Sequence, residues 1–183
     1  PVSYLPSSLL ATDTHRDRNN LFRFMSKEFG DVEANRVFDL YNVGTSRHWR
    51  NNDGLSTTFP QINEKGKLCQ LKVMAYNPNT GKRMKKQDRA EMWSDCLLYT
   101  SDAASSRIGI VESEKSALIC SILMPEITWI ATGGCNGCKW TETAVFKPLS
   151  GKRVVLYPDS GMLAKWEEKA EILHSAGIDV TVS

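Results

Sequence analysis

The apolar positions change period along this chain. Between residues 17 and 29, Leu21, Phe22, Met25 and Phe29 recur at helical spacing after Asp17, a possible cap, and Gly30 supplies a stop. Asp31 opens a second helical stretch in which Val32, Ala34, Val37, Phe38 and Tyr41 form the apolar side, ending at Gly44. Beyond it the pattern predicts short β runs: Leu55 to Ile62, a turn at 63–66, Leu68 to Tyr76, and a second turn at 77–81. Connections this short fit only antiparallel neighbours, so the region reads as a hairpin or small meander.

From Arg107 the order alternates strictly. The pattern predicts strands at Arg107 to Val111, Thr128 to Thr132, Val154 to Tyr157 and Asp179 to Val182. Helices are expected between them, at Ser113 to Leu123, Cys138 to Leu149 and Met162 to His174. Strands separated by helices of this length make βαβ units, and hence an α/β parallel sheet with right-handed crossovers and helices on both faces. The expected organisation is a small α+β region at 1–95, a junction at 96–106 and an α/β domain at 107–183.

Composition narrows the class. With 41% apolar and 24% charged residues, the 183-residue chain has enough apolar content to fold. No apolar stretch approaches the roughly 18 residues that cross a bilayer, and the start lacks the regions of a signal peptide, so a cytoplasmic location is expected. Pro1 in place of an initiator methionine, and an end at Ser183 straight after a strand-like run, suggest a piece of a longer chain. The five cysteines are odd in number and scattered, which favours reduced thiols over a disulfide framework. The net charge of +2 divides unevenly: residues 1–95 hold 15 Lys and Arg against 11 Asp and Glu, and residues 96–183 hold 8 against 10. A basic first half suits a polyanion-facing module, although solvated surfaces show similar balances.

The candidate chemistry sits at strand ends. In an open parallel sheet, ligands bind beyond the carboxyl ends of the strands. Those ends are Glu112-Ser113-Glu114-Lys115, Thr132-Gly133-Gly134 and Pro158-Asp159-Ser160-Gly161. Carboxylates suit Mg²⁺, which binds through one or two protein oxygens plus substrate phosphates. A glycine pair permits close backbone approach to a phosphate, and Lys115 adds a cation. The plainer alternatives are a carboxylate favoured by a helix dipole for Glu112, an N-cap for Asp159 and a solvated Lys115.

Those segments, Ile110 to Ala117, Trp129 to Gly134 and Val154 to Asp159, resemble the Toprim pattern of plasmid and phage primases over nearly all of 107–183. The resemblance implies that Glu112 acts as general acid/base or metal ligand, that Asp159 holds Mg²⁺ near a phosphate, and that Gly133 and Gly134 form the glycine turn. Nucleotidyl transfer of the DNA-primase kind is the activity it implies. The family usually carries a second aspartate two positions after the first, where this chain has Gly161, so one metal or none is expected rather than the two of two-metal chemistry. The first half is similar to an uncharacterised domain preceding a Toprim-like unit in proteins of bacterial mobile elements. That likeness rests on Gly44 to Trp49, Phe59 to Ile62 and Tyr76 to Arg83.

In the first half, Arg47, Lys82 and Arg83 are the candidate nucleic-acid contacts, with Lys85, Lys86, Arg89 and Arg50 nearby and Trp49 as a possible stacking ring. Cys135 and Cys138 form a lone CxxC, a spacing shared by zinc and redox sites, and incidental cysteines are the preferred reading. No Walker-type loop or Ser/His/Asp set is evident. Residues Cys96 to Ala104 resemble a translated sequencing adapter, so the natural connection between the halves is expected to differ from this one. The leading expectation is a primase-related protein binding nucleic acid or nucleotide with Mg²⁺, DNA being the favoured partner. The rival is a non-catalytic nucleic-acid-binding module with a degenerate metal site.

Overall fold

A computed structural model of the chain describes residues 4–10, 15–48, 54–63, 65–84, 105–134, 139 and 141–183. The chain forms two compact units, Pro1–Gln61 with Lys67–Met92 and Ile62–Gly66 with Trp93–Ser183.

The first unit contains two helices, α1 (Asn20–Phe29) and α2 (Asp31–Leu40), and three strands, β1 (Gly44–Ser46), β2 (Ser56–Ile62) and β3 (Leu68–Met74), in the order β1-β2-β3. The start of α1 differs from expectation. Asp17 lies in a 3-10 turn at Arg16–Arg18, and the cap is Asn19, whose side chain accepts from the amides of Leu21 and Phe22. Asn19 is fully buried. Its Oδ1 also accepts from the Thr57 hydroxyl at 2.8 Å, and its Nδ2 donates to the Gly44 carbonyl at 3.0 Å. One side chain therefore ties the start of α1 to two strands.

Helix α2 stops before Gly44. Asn42 takes φ 51°, the Val43 amide donates to the Phe38 carbonyl at 2.8 Å, and the Asn42 amide donates to that of Asp39 at 3.1 Å. This pair of bonds is a Schellman motif with asparagine in the left-handed position. Gly44 instead begins β1, a strand the hydrophobic pattern does not predict, which pairs antiparallel with β2 through Gly44 opposite Thr58.

The second unit is the α/β element expected. Strands β4 (Arg107–Val111), β5 (Thr128–Ala131), β6 (Arg153–Tyr157) and β7 (Asp179–Val182) form one sheet in the order β5-β4-β6-β7, every pair parallel. Helices α3 (Glu114–Leu123), α4 (Thr143–Phe146) and α5 (Leu163–Ser175) connect them. Alternate residues face opposite sides of the sheet. On one side Ile108, Ile110, Ile130, Val154, Leu156 and Val180 share a core with Phe146 of α4 and Trp166 and Leu173 of α5. On the other, the Trp129 ring lies over Gly109 and packs on Tyr157 with centroids 5.1 Å apart. A Cβ at Gly109 would fall well inside van der Waals contact with that ring. The buried Ala117 and Leu118 of α3 stand outside the first cluster, as a right-handed crossover in the opposite direction requires.

The helix expected from Cys138 to Leu149 is much shorter. Among the described residues of that stretch only Thr143–Phe146 is α-helical, and Lys147–Leu149 is a 3-10 turn. Pro148 has no N–H for an α-helical bond, so the end tightens. Residues 135–138, with the CxxC pair Cys135 and Cys138, lie outside the described residues, as do Cys96 to Ala104, Trp49, Arg50, Lys85, Lys86 and Arg89. No helix of the described residues is long and apolar enough to cross a membrane.

Candidate metal and nucleic-acid site

The sheet order fixes where chemistry can gather. The chain steps from β4 to β5 on one side, then crosses back to β6 on the other, so the carboxyl end of β4 lies at a topological switch point. Val111 is in register with both Ala131 and Tyr157. The residues after these three strand ends are consequently neighbours.

Glu112 leaves the end of β4 and is 7% exposed. Its Oε1 accepts from the Asp159 backbone amide at 3.4 Å, a long bond between residues 47 positions apart. Its own carbonyl accepts from the Gly134 amide at 2.8 Å. Gly133 and Gly134 both take positive φ, 78° and 125°. The Thr132 hydroxyl, buried, donates to the Gly134 carbonyl at 3.0 Å, and the Thr132 amide donates to the Val111 carbonyl at 3.0 Å. The glycine turn is thus bonded to the end of β4, and the Gly134 amide is already engaged there.

Glu112 stands directly before the N-cap of α3, while Asp159 does not take the plainer role of an N-cap. Ser113 caps α3, its hydroxyl accepting from the Ser116 amide at 3.1 Å, and Glu114 is the acidic residue of the first turn. Helix α5 begins after Met162, so Asp159 is not its cap. The Asp159 carbonyl instead accepts from the Met162 amide at 3.0 Å, closing a four-residue turn with Gly161 in its third position at φ 81°. That left-handed backbone accounts physically for glycine at 161, because any other side chain is strained there even though the space around it is open. Asp159 is exposed. Lys115, in the first turn of α3, is half-buried, and desolvation lowers its pKa from the ordinary lysine value.

Among the described residues, no group of three or more His, Cys, Asp or Glu side chains could hold a metal ion. Glu112 and Asp159 offer two carboxylates, a donor set that fits one hydrated Mg²⁺ sharing its shell with substrate phosphates, not a pair of ions. Arg47, Lys82 and Arg83 belong to the first unit. All three are exposed. An Arg47 guanidinium nitrogen stands 2.8 Å from Nε2 of His15, while Lys82 and Arg83 follow a turn in which the Asn77 side chain accepts from the amides of Asn79 and Thr80. The role of Thr132 does not follow from periodicity. A hydroxyl residue directly before a glycine pair at a strand end is the signal that marks it.

A family model described as a domain of unknown function, DUF6371, matches residues 19–160. The chain belongs to the DUF6371 family. The match runs through both compact units and across residues 96–106, so the family extends further than the likeness read from residues 1–95. No curated protein matches this DUF6371 chain. Among solved structures it is similar to the DnaG primase catalytic domain bound to ssDNA, at 12% identity, covering 86% of this chain and 78% of that one, with a TM-score of 0.38.

Proposed function

We propose that this DUF6371 protein is a primase-related, Toprim-like protein of a mobile element that binds single-stranded nucleic acid or nucleotide, DNA for preference, at the carboxyl rim of its parallel sheet. In this reading Glu112 and Asp159 hold one Mg²⁺, Lys115 and the Gly133–Gly134 turn approach a phosphate, and Arg47, Lys82 and Arg83 contact the backbone elsewhere. Glu112 is also the group placed to accept or return a proton in nucleotidyl transfer, and a cytoplasmic location follows from that role.

The observation that carries the reading is the hydrogen bond from the Asp159 amide to the Glu112 carboxylate, because it brings two acidic residues from different strands to one rim. A bound Mg²⁺ would supply charge neutralisation for phosphate oxygens. The test is affinity for a fluorescent single-stranded DNA with and without Mg²⁺, in the wild type and in Glu112→Gln. Wild-type affinity should rise with Mg²⁺, and the substitution should lower the Mg²⁺ dependence at least about tenfold. Equal affinities in all four conditions would overturn the metal-dependent reading.

A second reading is favoured by Gly161. With no carboxylate at that position and no cluster of three metal-binding side chains among the described residues, the site fits a non-catalytic module whose affinity comes from cations. Binding that falls steeply with salt and ignores Mg²⁺ would select it.

A further inference from the structure

The aromatic rings of the second unit divide by exposure. Among its described residues Trp129, Phe146 and Trp166 are buried, while Tyr157 is partly open to solvent. Tyr157 is the last residue of β6 and is in register with Val111 of β4. Glu112 follows Val111 directly, and Asp159 follows Tyr157 by two positions, a span of at most about 7 Å. The ring is therefore set at the carboxyl rim, within a nucleotide's length of both carboxylates.

Tyr157 is held in place by a residue that cannot move. Its ring packs on Trp129 with centroids 5.1 Å apart and planes inclined at 49°. Trp129 is 1% exposed, lies over Gly109 and donates from Nε1 to the Met124 carbonyl at 3.1 Å. A braced ring loses little conformational entropy when a ligand settles on it. The Tyr157 hydroxyl makes no hydrogen bond among the described residues. An apolar ring with a wet hydroxyl is the amphipathic surface that interfaces favour.

The phosphate-binding candidates lie on the same side of the sheet. Met124 is the C-cap of α3, so its bond with Trp129 puts that helix on the face that carries Tyr157. Lys115 sits in the first turn of α3, and the Gly133–Gly134 turn is bonded to the residue after β4. We infer that Tyr157 is a stacking platform for one unpaired base of a single strand whose adjoining phosphate lies at the Glu112 and Asp159 rim. Every base has a π-face, so the contact favours single strands without choosing a sequence. The inference rests on the rim being a nucleic-acid site and adds a contact that needs no metal.

Fluorescence anisotropy of the full chain tests it, with a labelled single-stranded oligonucleotide and an abasic strand of the same length, each with and without Mg²⁺. The wild type should bind the base-bearing strand at least about fivefold more tightly than the abasic one. Tyr157→Leu, which keeps apolar cover on Trp129, should remove that preference by weakening the base-bearing strand alone, and Tyr157→Phe should retain it. Without recourse to any variant, irradiation of the wild type with a strand carrying 5-iodouracil should leave an adduct on Tyr157, read by mass spectrometry of the digest. A wild type that ignores Mg²⁺ yet keeps the base preference would contradict the metal site and leave the stacking role standing. A base preference untouched by Tyr157→Leu, an equal loss of both strands in that variant, an adduct confined to other residues, or no binding of either strand would overturn the inference.

Discussion

The Asp159 backbone amide donates to the Glu112 side chain at 3.4 Å, joining the turn after β6 to the end of β4. An amide side chain at 112 keeps an acceptor oxygen and loses the charge, whereas a methyl keeps neither. Glu112→Gln should therefore change unfolding free energy by less than about 0.5 kcal/mol, and Glu112→Ala should cost about 0.5–1.5 kcal/mol, as for a net hydrogen bond. Urea denaturation of both variants separates the structural contribution from the binding one.

Gly109 is the floor beneath Trp129. Adding a methyl there drives into a fully packed ring, so Gly109→Ala should cost about 1–3 kcal/mol. The loss should appear in near-ultraviolet circular dichroism during denaturation. A fully stable variant would contradict the assignment of Trp129 to the face of β4.

Asn19 caps α1 and bonds to β1 and β2 at once. Its replacement by alanine removes a cap and leaves the buried Thr57 hydroxyl without its acceptor, for a loss of about 2 kcal/mol or more. Hydrogen exchange should accelerate in α1, β1 and β2 and stay unchanged in β4 to β7.

Burial holds the Lys115 pKa below its unfolded value of 10.5. Between the lowered folded value and 10.5 the unfolded chain binds more protons, so this residue makes stability rise with pH across that window. The penalty is present at lower pH and disappears above it. Burial raises the Cys120 pKa and acts in the opposite direction, but it is common to both proteins in a comparison of the wild type with Lys115→Met. The wild-type curve should gain on the variant as pH rises through the alkaline range, and parallel curves would contradict a desolvated lysine.

Much of the second unit is legible in the sequence because its periodicity is strong. The alternation from Arg107 onward places all four strands to within a residue or so, and the register of a parallel sheet then puts the strand ends together. What escapes such a reading is governed by contacts between residues far apart or by single-residue chemistry. The Asn42 cap looks like any polar residue until its φ is known, and β1 is three residues long, too short for a period. Asp17 looks as good a cap as Asn19, because the Thr57 bond that settles the choice spans 38 positions. An apolar pattern running to Leu149 suggests a long helix, whereas its last residues, Pro148 among them, wind as a 3-10 turn. In the candidate site, the residue types are readable, but the hydroxyl of Thr132 and the engaged amide of Gly134 are matters of geometry.

The central claim concerns a shared cation at the sheet rim, and side-chain carboxyl resonances observed by NMR during a Mg²⁺ titration test it most directly. The expected result is that Glu112 and Asp159 shift together with one apparent affinity, and that Glu112→Gln weakens the response of Asp159 at least about tenfold. Resonances of the two carboxyls that stay fixed, or move independently at different Mg²⁺ concentrations, would contradict it.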